Sequence, residues 1–197
     1  LFMQVASKEQ IMQSLCPSSY DNIDILPATM GLATLDRALG NKGGMGLVLK
    51  KALRAIDSEY DYVLIDCPPV LGVLMVNALA ASDRIIVPVQ TEFLALKGLD
   101  RMMKTLDIMQ AQQPSGFKYT IVPTMFDKRT KASILTYQKL LTLYGEDVWS
   151  AVIPIDTNFR NASNAQKVPS DYAAKSRGVI AYRDLLTYLV NLTTQSK

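Results

Sequence analysis

The chain has 197 residues, of which 49% are apolar and 20% charged, and a formal net charge of +3; that is room for one α/β domain with a sizeable core and short for two. Histidine is absent and the two cysteines, Cys16 and Cys67, lie far apart. This excludes Ser-His and Cys-His catalysis, His-ligated zinc, a cysteine-ligated iron–sulfur cluster and a disulfide framework, and it points to a reducing cytoplasm. No apolar run approaches the roughly 20 residues that span a bilayer, and the opening LFMQVASKEQ lacks a signal peptide's basic region and cleavage site.

Taken in chain order, the apolar spacing of Phe2, Val5, Ala6, Ile11, Met12 and Leu15 predicts a helix over Phe2–Leu15. Asn22–Ala28 is a short β-type run around Pro27, and Leu32–Leu39 a helix stopped by Gly40. Leu47–Ile56 is a helix with a charged face, and Tyr62–Ile65 a strand of the buried type. Leu71–Ala81 is an apolar helix, Arg84–Val89 a buried strand, and Leu94–Gln110 a long helix. Tyr119–Thr124 is a strand, Ala132–Tyr144 a helix, Ala151–Ile155 a strand, and Val179–Leu192 the final helix. With no repeat and no linker, the expectation is a single domain over residues 1–197. Strands alternating with helices predict an α/β fold, a mainly parallel twisted sheet flanked by helices. Ligands of such sheets bind at the carboxyl ends of strands, which singles out Asp66, Gln90, Thr124 and Asp156.

The segment YDYVLIDCPP carries the most chemistry. An apolar strand running into Asp66 places a carboxylate where it can hold Mg²⁺, through water, against nucleotide phosphates. Pro68 and Pro69 stiffen the turn that follows. An ordinary strand followed by a solvated aspartate reads equally well from spacing alone. Cys67 reads as a small packed residue, since no base is nearby to make it a nucleophile. Glu92 either supports a switch or caps the helix that follows.

Asp66–Pro69, Asn77–Asp83, Pro88–Gly98, TMFDKRT at 124–130 and the stretch from Ile153 to Tyr182 together resemble the ParA/Soj family of partition ATPases. The resemblance runs from about Asn22 to Leu192. It implies a P-loop NTPase-like fold of the ParA/MinD superfamily, whose cofactors are ATP and Mg²⁺. Asp66 would then be the catalytic, Mg²⁺-holding carboxylate of the Walker B strand, and Cys67, Pro68 and Pro69 the switch. Met125, Pro154, Ile155 and Asp156 are the implied base-pocket residues, although the family often has arginine after its Ile-Pro pair. Lys128, Arg129, Lys131, Arg160 and Lys167 would contact DNA phosphates without reading bases. Residues 97–197 carry a net charge of +6 against −3 for residues 1–96, which favours a polyanion at the later half. Implied partners are a second copy in an ATP-dependent homodimer, non-specific DNA, and a ParB-like or cargo-adaptor stimulator, in the cytoplasm on the nucleoid.

One departure matters. The family's deviant Walker A loop needs lysine and a hydroxyl after its glycines. Lys42-Gly43-Gly44-Met45-Gly46 continues instead into Leu47 and Val48, and it follows a predicted helix, so it reads as a helix–loop–helix connection. The family loop is therefore expected upstream of Leu1, with the first strand and helix. On that expectation the chain is truncated at its N-terminus and by itself inactive, although the parent is an ATP hydrolase. A MinD-like membrane regulator is the alternative, weakened by the end LLTYLVNLTTQSK, which lacks a basic amphipathic face. An amidotransferase-type synthetase of the same fold and a non-enzymatic interaction module are further readings.

Overall fold

The structure is a computed structural model and describes residues 6–32, 34, 45–67, 72–110 and 116–194. The chain divides into two compact units, Leu1–Asp83 and Arg84–Lys197.

In the first unit, helix α1 (Lys8–Gln13) starts at a capping box. The Gln10 N–H donates to Ser7 Oγ, and the Ser7 N–H donates to Gln10 Oε1. This helix is shorter than the expected Phe2–Leu15, and the first residues of that expected run lie outside those described. Strands β1 (Cys16–Pro17) and β2 (Asp24–Ile25) pair antiparallel, so the expected β-run at Asn22–Ala28 forms a two-residue ladder. Of the expected Leu32–Leu39 helix, nearly all lies outside the described residues, as does 42–44 of the glycine-rich run. A 3₁₀ turn, Met45–Leu47, leads into α2 (Val48–Ala55). Helix α3 (Val73–Ala81) buries Met75, Asn77, Ala78, Leu79 and Ala80. Asn77 is wholly buried; its amide donates to the Val73 carbonyl, and its oxygen accepts the Leu49 N–H at 3.0 Å. That bond satisfies one of the orphan donors in the first turn of α2, so one polar side chain ties two helices together. Ile11, Ala52 and Ile56 form a small core beneath Leu53 and Tyr60.

The strand expected at Tyr62–Ile65 is not formed. Residues 62–67 follow an irregular path, and Tyr62, Val63 and Leu64 are 64%, 50% and 88% exposed. Four residues of β-type sequence cannot make a strand without neighbours to take their N–H and C=O groups. Among the described residues none pairs with them.

The second unit is a βαβ unit with additions. Strands β3 (Ile85–Gln90) and β4 (Tyr119–Thr124) run parallel, in register from Ile85↔Tyr119 to Gln90↔Thr124. Parallel neighbours need a crossover, and α4 (Phe93–Gln110) supplies it. Glu92 stands just before α4, its carbonyl accepting the Leu96 N–H. Strand β4 is buried at four successive positions, whereas β3 buries only Val87 and Val89 and is half-covered rather than fully buried as expected. Helix α5 (Lys131–Tyr144) follows, ending at Gly145, whose φ of 51° suits a residue with no Cβ. The strand expected at Ala151–Ile155 appears as a single parallel bridge, Phe126↔Pro154, and a second bridge, Ile121↔Val148, precedes it. Its N–H groups at Ile153 and Ile155 still donate to Pro123 and Phe126 carbonyls, so the chain follows β4, while Pro154 contributes no donor. Helices α6 (Asn158–Asn164) and α7 (Pro169–Tyr172) were not anticipated, and α8 (Arg177–Thr194) closes the chain. Trp149, Ile153 and Leu185 pack on Val122 as the core under Ala181, Tyr188 and Leu189.

Parallel strands with a helical crossover make this an α/β fold, as expected.

Candidate functional site in the second unit

Beyond the carboxyl end of β4 the chain makes a tight corner. Met125 takes a left-handed conformation, φ 53°, an uncommon one for a residue with a side chain. Two buried hydroxyls hold the corner. Thr91, just past β3, donates to the Met125 carbonyl at 3.4 Å and lies 2.6 Å from Ser133 Oγ, which accepts the Asp127 N–H at 3.1 Å. The proton count gives these bonds a direction. If Thr91 donates to Met125, then Ser133 must donate to Thr91 while accepting from Asp127. Sequence reading missed both hydroxyls, because a threonine after a strand and a serine inside a helix carry no signal of their own.

Asp127 is then fixed, and it grips Arg129. Arg129 Nε donates to Asp127 Oδ1 at 2.9 Å and Nη2 to Oδ2 at 2.8 Å, and the Arg129 backbone N–H adds a third bond at 3.0 Å. These bonds, led by the Arg129 side chain, hold the Asp127 carboxyl down to about 2.

Asp156 is held as firmly. Its Oδ1 accepts the backbone N–H and side-chain amide of Asn158, each at 2.9 Å, and its Oδ2 accepts the Gly178 N–H at 2.8 Å. Burial pushes this carboxyl up, but the donors of Gly178, Asn158 and Ser176 outweigh it and leave it below its ordinary value. One side chain thus serves the first turns of both α6 and α8. The Asp-x-Asn spacing was a legible sign of a local turn; the bond to Gly178 was not, being 22 residues away. Gly178 is needed for space. A Cβ there would overlap the Phe159 ring and lie 3.0 Å from Asp156 Cβ.

These loops enclose a cavity of about 660 Å³, within the range of small-molecule sites. Its lining includes apolar Phe126, Pro154 and Ile155 and polar Asp127, Asp156, Thr157, Asn158 and Ser176. Lys128, Arg129, Lys175 and Arg177 supply cations. Of the residues singled out for a base pocket, the cavity gathers Pro154, Ile155 and Asp156; Met125 lies outside its lining and is 49% exposed. Of those singled out for DNA, it gathers Lys128 and Arg129, while Lys131, Arg160 and Lys167 are exposed elsewhere on the same unit. Lys175 and Arg177 were not foreseen.

In the first unit Asp66 is exposed, and no described group makes a hydrogen bond or ion pair with it. Cys67 is exposed rather than packed as expected, its Sγ 3.6 Å from the Ile65 carbonyl. Local desolvation and the Asp66 charge push its thiol up, away from nucleophilic reactivity. Pro68 and Pro69 lie outside the described residues. Among the described residues no group of three or more acidic or cysteine side chains gathers to hold a metal. A lone carboxylate suits Mg²⁺ that keeps most of its waters and takes its other ligands from phosphate. No helix among the described residues is long and apolar enough to cross a membrane.

Residues 1–119 match the family described as AAA domain (AAA_31). The sporulation initiation inhibitor protein Soj of Bacillus subtilis is 35% identical over 169 residues, covering 85% of this chain and 67% of that protein. The chromosome partitioning protein ParA of Myxococcus xanthus is 31% identical over 183 residues, covering 92% and 65%. This chain thus spans about two thirds of the length of both. Among solved structures, a cobyrinic acid a,c-diamide synthase from Mycobacterium smegmatis with bound ATP analogue and magnesium is 30% identical, with TM-score 0.78 over 95% of this chain and 69% of that one. An ATP complex of McdA from Cyanothece shares the fold at 16% identity, with TM-score 0.76 over 92% and 72%. A Soj and a ParA protein matched across most of this chain, each at more than 30% identity, decide the question that the motifs raised: the chain belongs to the ParA/Soj family of partition ATPases.

Proposed function

We propose that the protein is an ATPase that positions or segregates intracellular cargo. In this reading it binds ATP, pairs with a second copy, sits on DNA without reading sequence, and is released when a ParB-like or cargo-adaptor protein stimulates hydrolysis. The observation that carries the reading is the cavity beyond β4, whose lining combines apolar side chains with cations. Phe126, Pro154 and Ile155 supply apolar lining suited to a purine. Asp156, fixed by backbone donors, keeps Asn158 and the start of α8 in place around it. Asp66 would hold Mg²⁺ through water, and the ion would supply neutralisation of phosphate charge. Relatives solved with ATP analogue and magnesium, or with ATP, support the cofactor assignment.

Cations at the cavity rim and along the unit, Lys128, Arg129, Lys131, Arg160 and Lys167, fit phosphate contacts that fix position without sequence. Calorimetry with ATP, in the presence and absence of Mg²⁺, tests nucleotide binding, and sedimentation with and without ATP tests pairing. Changing Arg129→Glu together with Arg160→Glu should abolish measurable DNA binding at about 100 mM salt, where phosphate contacts still count. Full retention of binding would remove DNA from the reading. A synthase would couple ATP turnover to an added carboxylate acceptor; turnover stimulated by DNA or partner protein alone separates the two.

A further inference from the structure

The pair Asp127–Arg129 differs from an ordinary surface ion pair. The Arg129 side chain is 82% exposed, but the Asp127 side chain is only 16% exposed. An exposed pair usually contributes little, because two mobile side chains must be ordered to make it. Here the carboxylate is already ordered. The Asp127 N–H is held by Ser133, and Ser133 by Thr91, at 4% and 5% exposure. Only the arginine loses freedom on pairing.

The geometry of the grip leaves the cation usable. Asp127 engages Nε and one N–H of Nη2, the side edge of the guanidinium. Of the group's five N–H donors three remain, both on Nη1 and the second on Nη2, and one from each of these nitrogens forms the end edge. No other described group accepts from them. An end edge with two parallel donors fits two oxygens of one phosphate. Lys128, Lys175 and Arg177 stand on the same cavity.

We propose that Asp127 is a positioning residue that holds Arg129 side-on, so that the end edge of its guanidinium is presented as a fork for a DNA phosphodiester. The proposal rests on the DNA-binding part of the function above and adds to it a residue whose own charge repels DNA. That opposition makes it testable by sign. If only charge matters, Asp127→Asn removes a negative group and tightens DNA binding. If positioning matters, the same change frees the fork and weakens binding.

The experiment measures DNA affinity of the intact protein at saturating ATP and Mg²⁺, across a salt series, for wild type, Asp127→Asn, Arg129→Lys and the double variant. Arg129→Lys keeps the charge, loses the fork and sits on an exposed side chain, so it folds whether or not Asp127→Asn does. The expected result is a loss of about tenfold for each single variant, the size of one charge-assisted contact, and no further loss in the double variant. The slope of log affinity against log salt should flatten by about 0.9 in Asp127→Asn, although net charge has risen by one. Equal or tighter binding by Asp127→Asn, or full binding by Arg129→Lys, overturns the proposal while leaving DNA binding intact. A fall in ATP affinity with DNA affinity unchanged assigns the fork to the nucleotide's own phosphates and overturns it too. Absence of DNA binding by the wild type overturns the DNA reading itself, and the proposal with it.

Discussion

Asp66 and Asp156 both follow a segment of β-type sequence, and the two could hardly be placed more differently. Asp66 ends the run Tyr62–Ile65, which forms no ladder and exposes Leu64 to 88%. Asp156 follows a segment bridged to the end of β4, and four donors converge on it. Asp127, after β4 itself, is bound to an arginine and seated on buried hydroxyls. The difference teaches that an acidic residue at the end of an apolar run becomes a positioned group only where neighbouring strands and helix starts surround it. Residue type supplies the charge; the neighbouring donors supply the place.

The sharpest way to break the contrast is to unseat Asp156. Gly178→Ala puts a methyl group into the Phe159 ring and against Asp156 Cβ. Chemical denaturation should show a loss of about 1–3 kcal/mol, the usual range for overpacking, with a fall in ATP affinity from the deformed cavity. A stability equal to wild type would mean that Phe159 swings aside freely and that the glycine is not required for space.

Ser133→Ala tests the support under Asp127. The change strands the Asp127 N–H and removes the donor to Thr91, so about 1–2 kcal/mol should be lost. Adding Thr91→Val should cost less than it does alone, since its hydroxyl has by then lost its partner. Strict additivity in a double-mutant cycle would show the two hydroxyls to be independent.

A third test discharges Asp127 without mutation. Its carboxyl is depressed from 3.8 to about 2 by the Arg129 side chain and backbone, with Arg177 adding a smaller pull. A depressed acid contributes stability above its unfolded value and loses it as pH falls through the folded one. The contribution is therefore complete above about pH 4 and fades towards pH 2, while both arginines stay charged. Carbon NMR of the Asp127 carboxyl should titrate near 2 in the wild type. In Arg129→Ala it should move up towards the ordinary value.

How far these outcomes were readable beforehand depends on range. The crossover from β3 through α4 to β4 is written in local periodicity, and Tyr119–Thr124 forms over the residues that its apolar run predicts. Helices α5 and α8 begin within two residues of their expected starts. The sequence segments around Asp156 and Asp127 also pointed to loops that line the cavity, because turn residues after strands are a local signal. What could not be read were contacts between distant residues: Thr91 with Ser133, Asp156 with Gly178, Leu49 with Asn77. Lys175 and Arg177 stayed hidden for the same reason, since their place beside Arg129 comes from α8 starting where α6 does, around one carboxylate. Tyr62–Ile65 failed in the opposite sense. Its composition favours a strand, but a strand is a property of a pair.

Asp66 offers the smallest effect on stability and therefore the cleanest separation of fold from function. No described group makes a hydrogen bond or ion pair with it, so Asp66→Asn removes no such contact among the described residues. The change should alter unfolding free energy by no more than about 0.5 kcal/mol, as for a surface site. By contrast Asp156→Asn leaves the Gly178 and Asn158 donors facing a neutral amide and should be measurably destabilising. If Asp66 serves a hydrated Mg²⁺, the same Asp66→Asn variant should lose the Mg²⁺-dependent part of its ATP affinity while its unfolding curve stays on that of the wild type. A large stability loss would show that Asp66 is bound within the fold, and the contrast between the two carboxylates would then close.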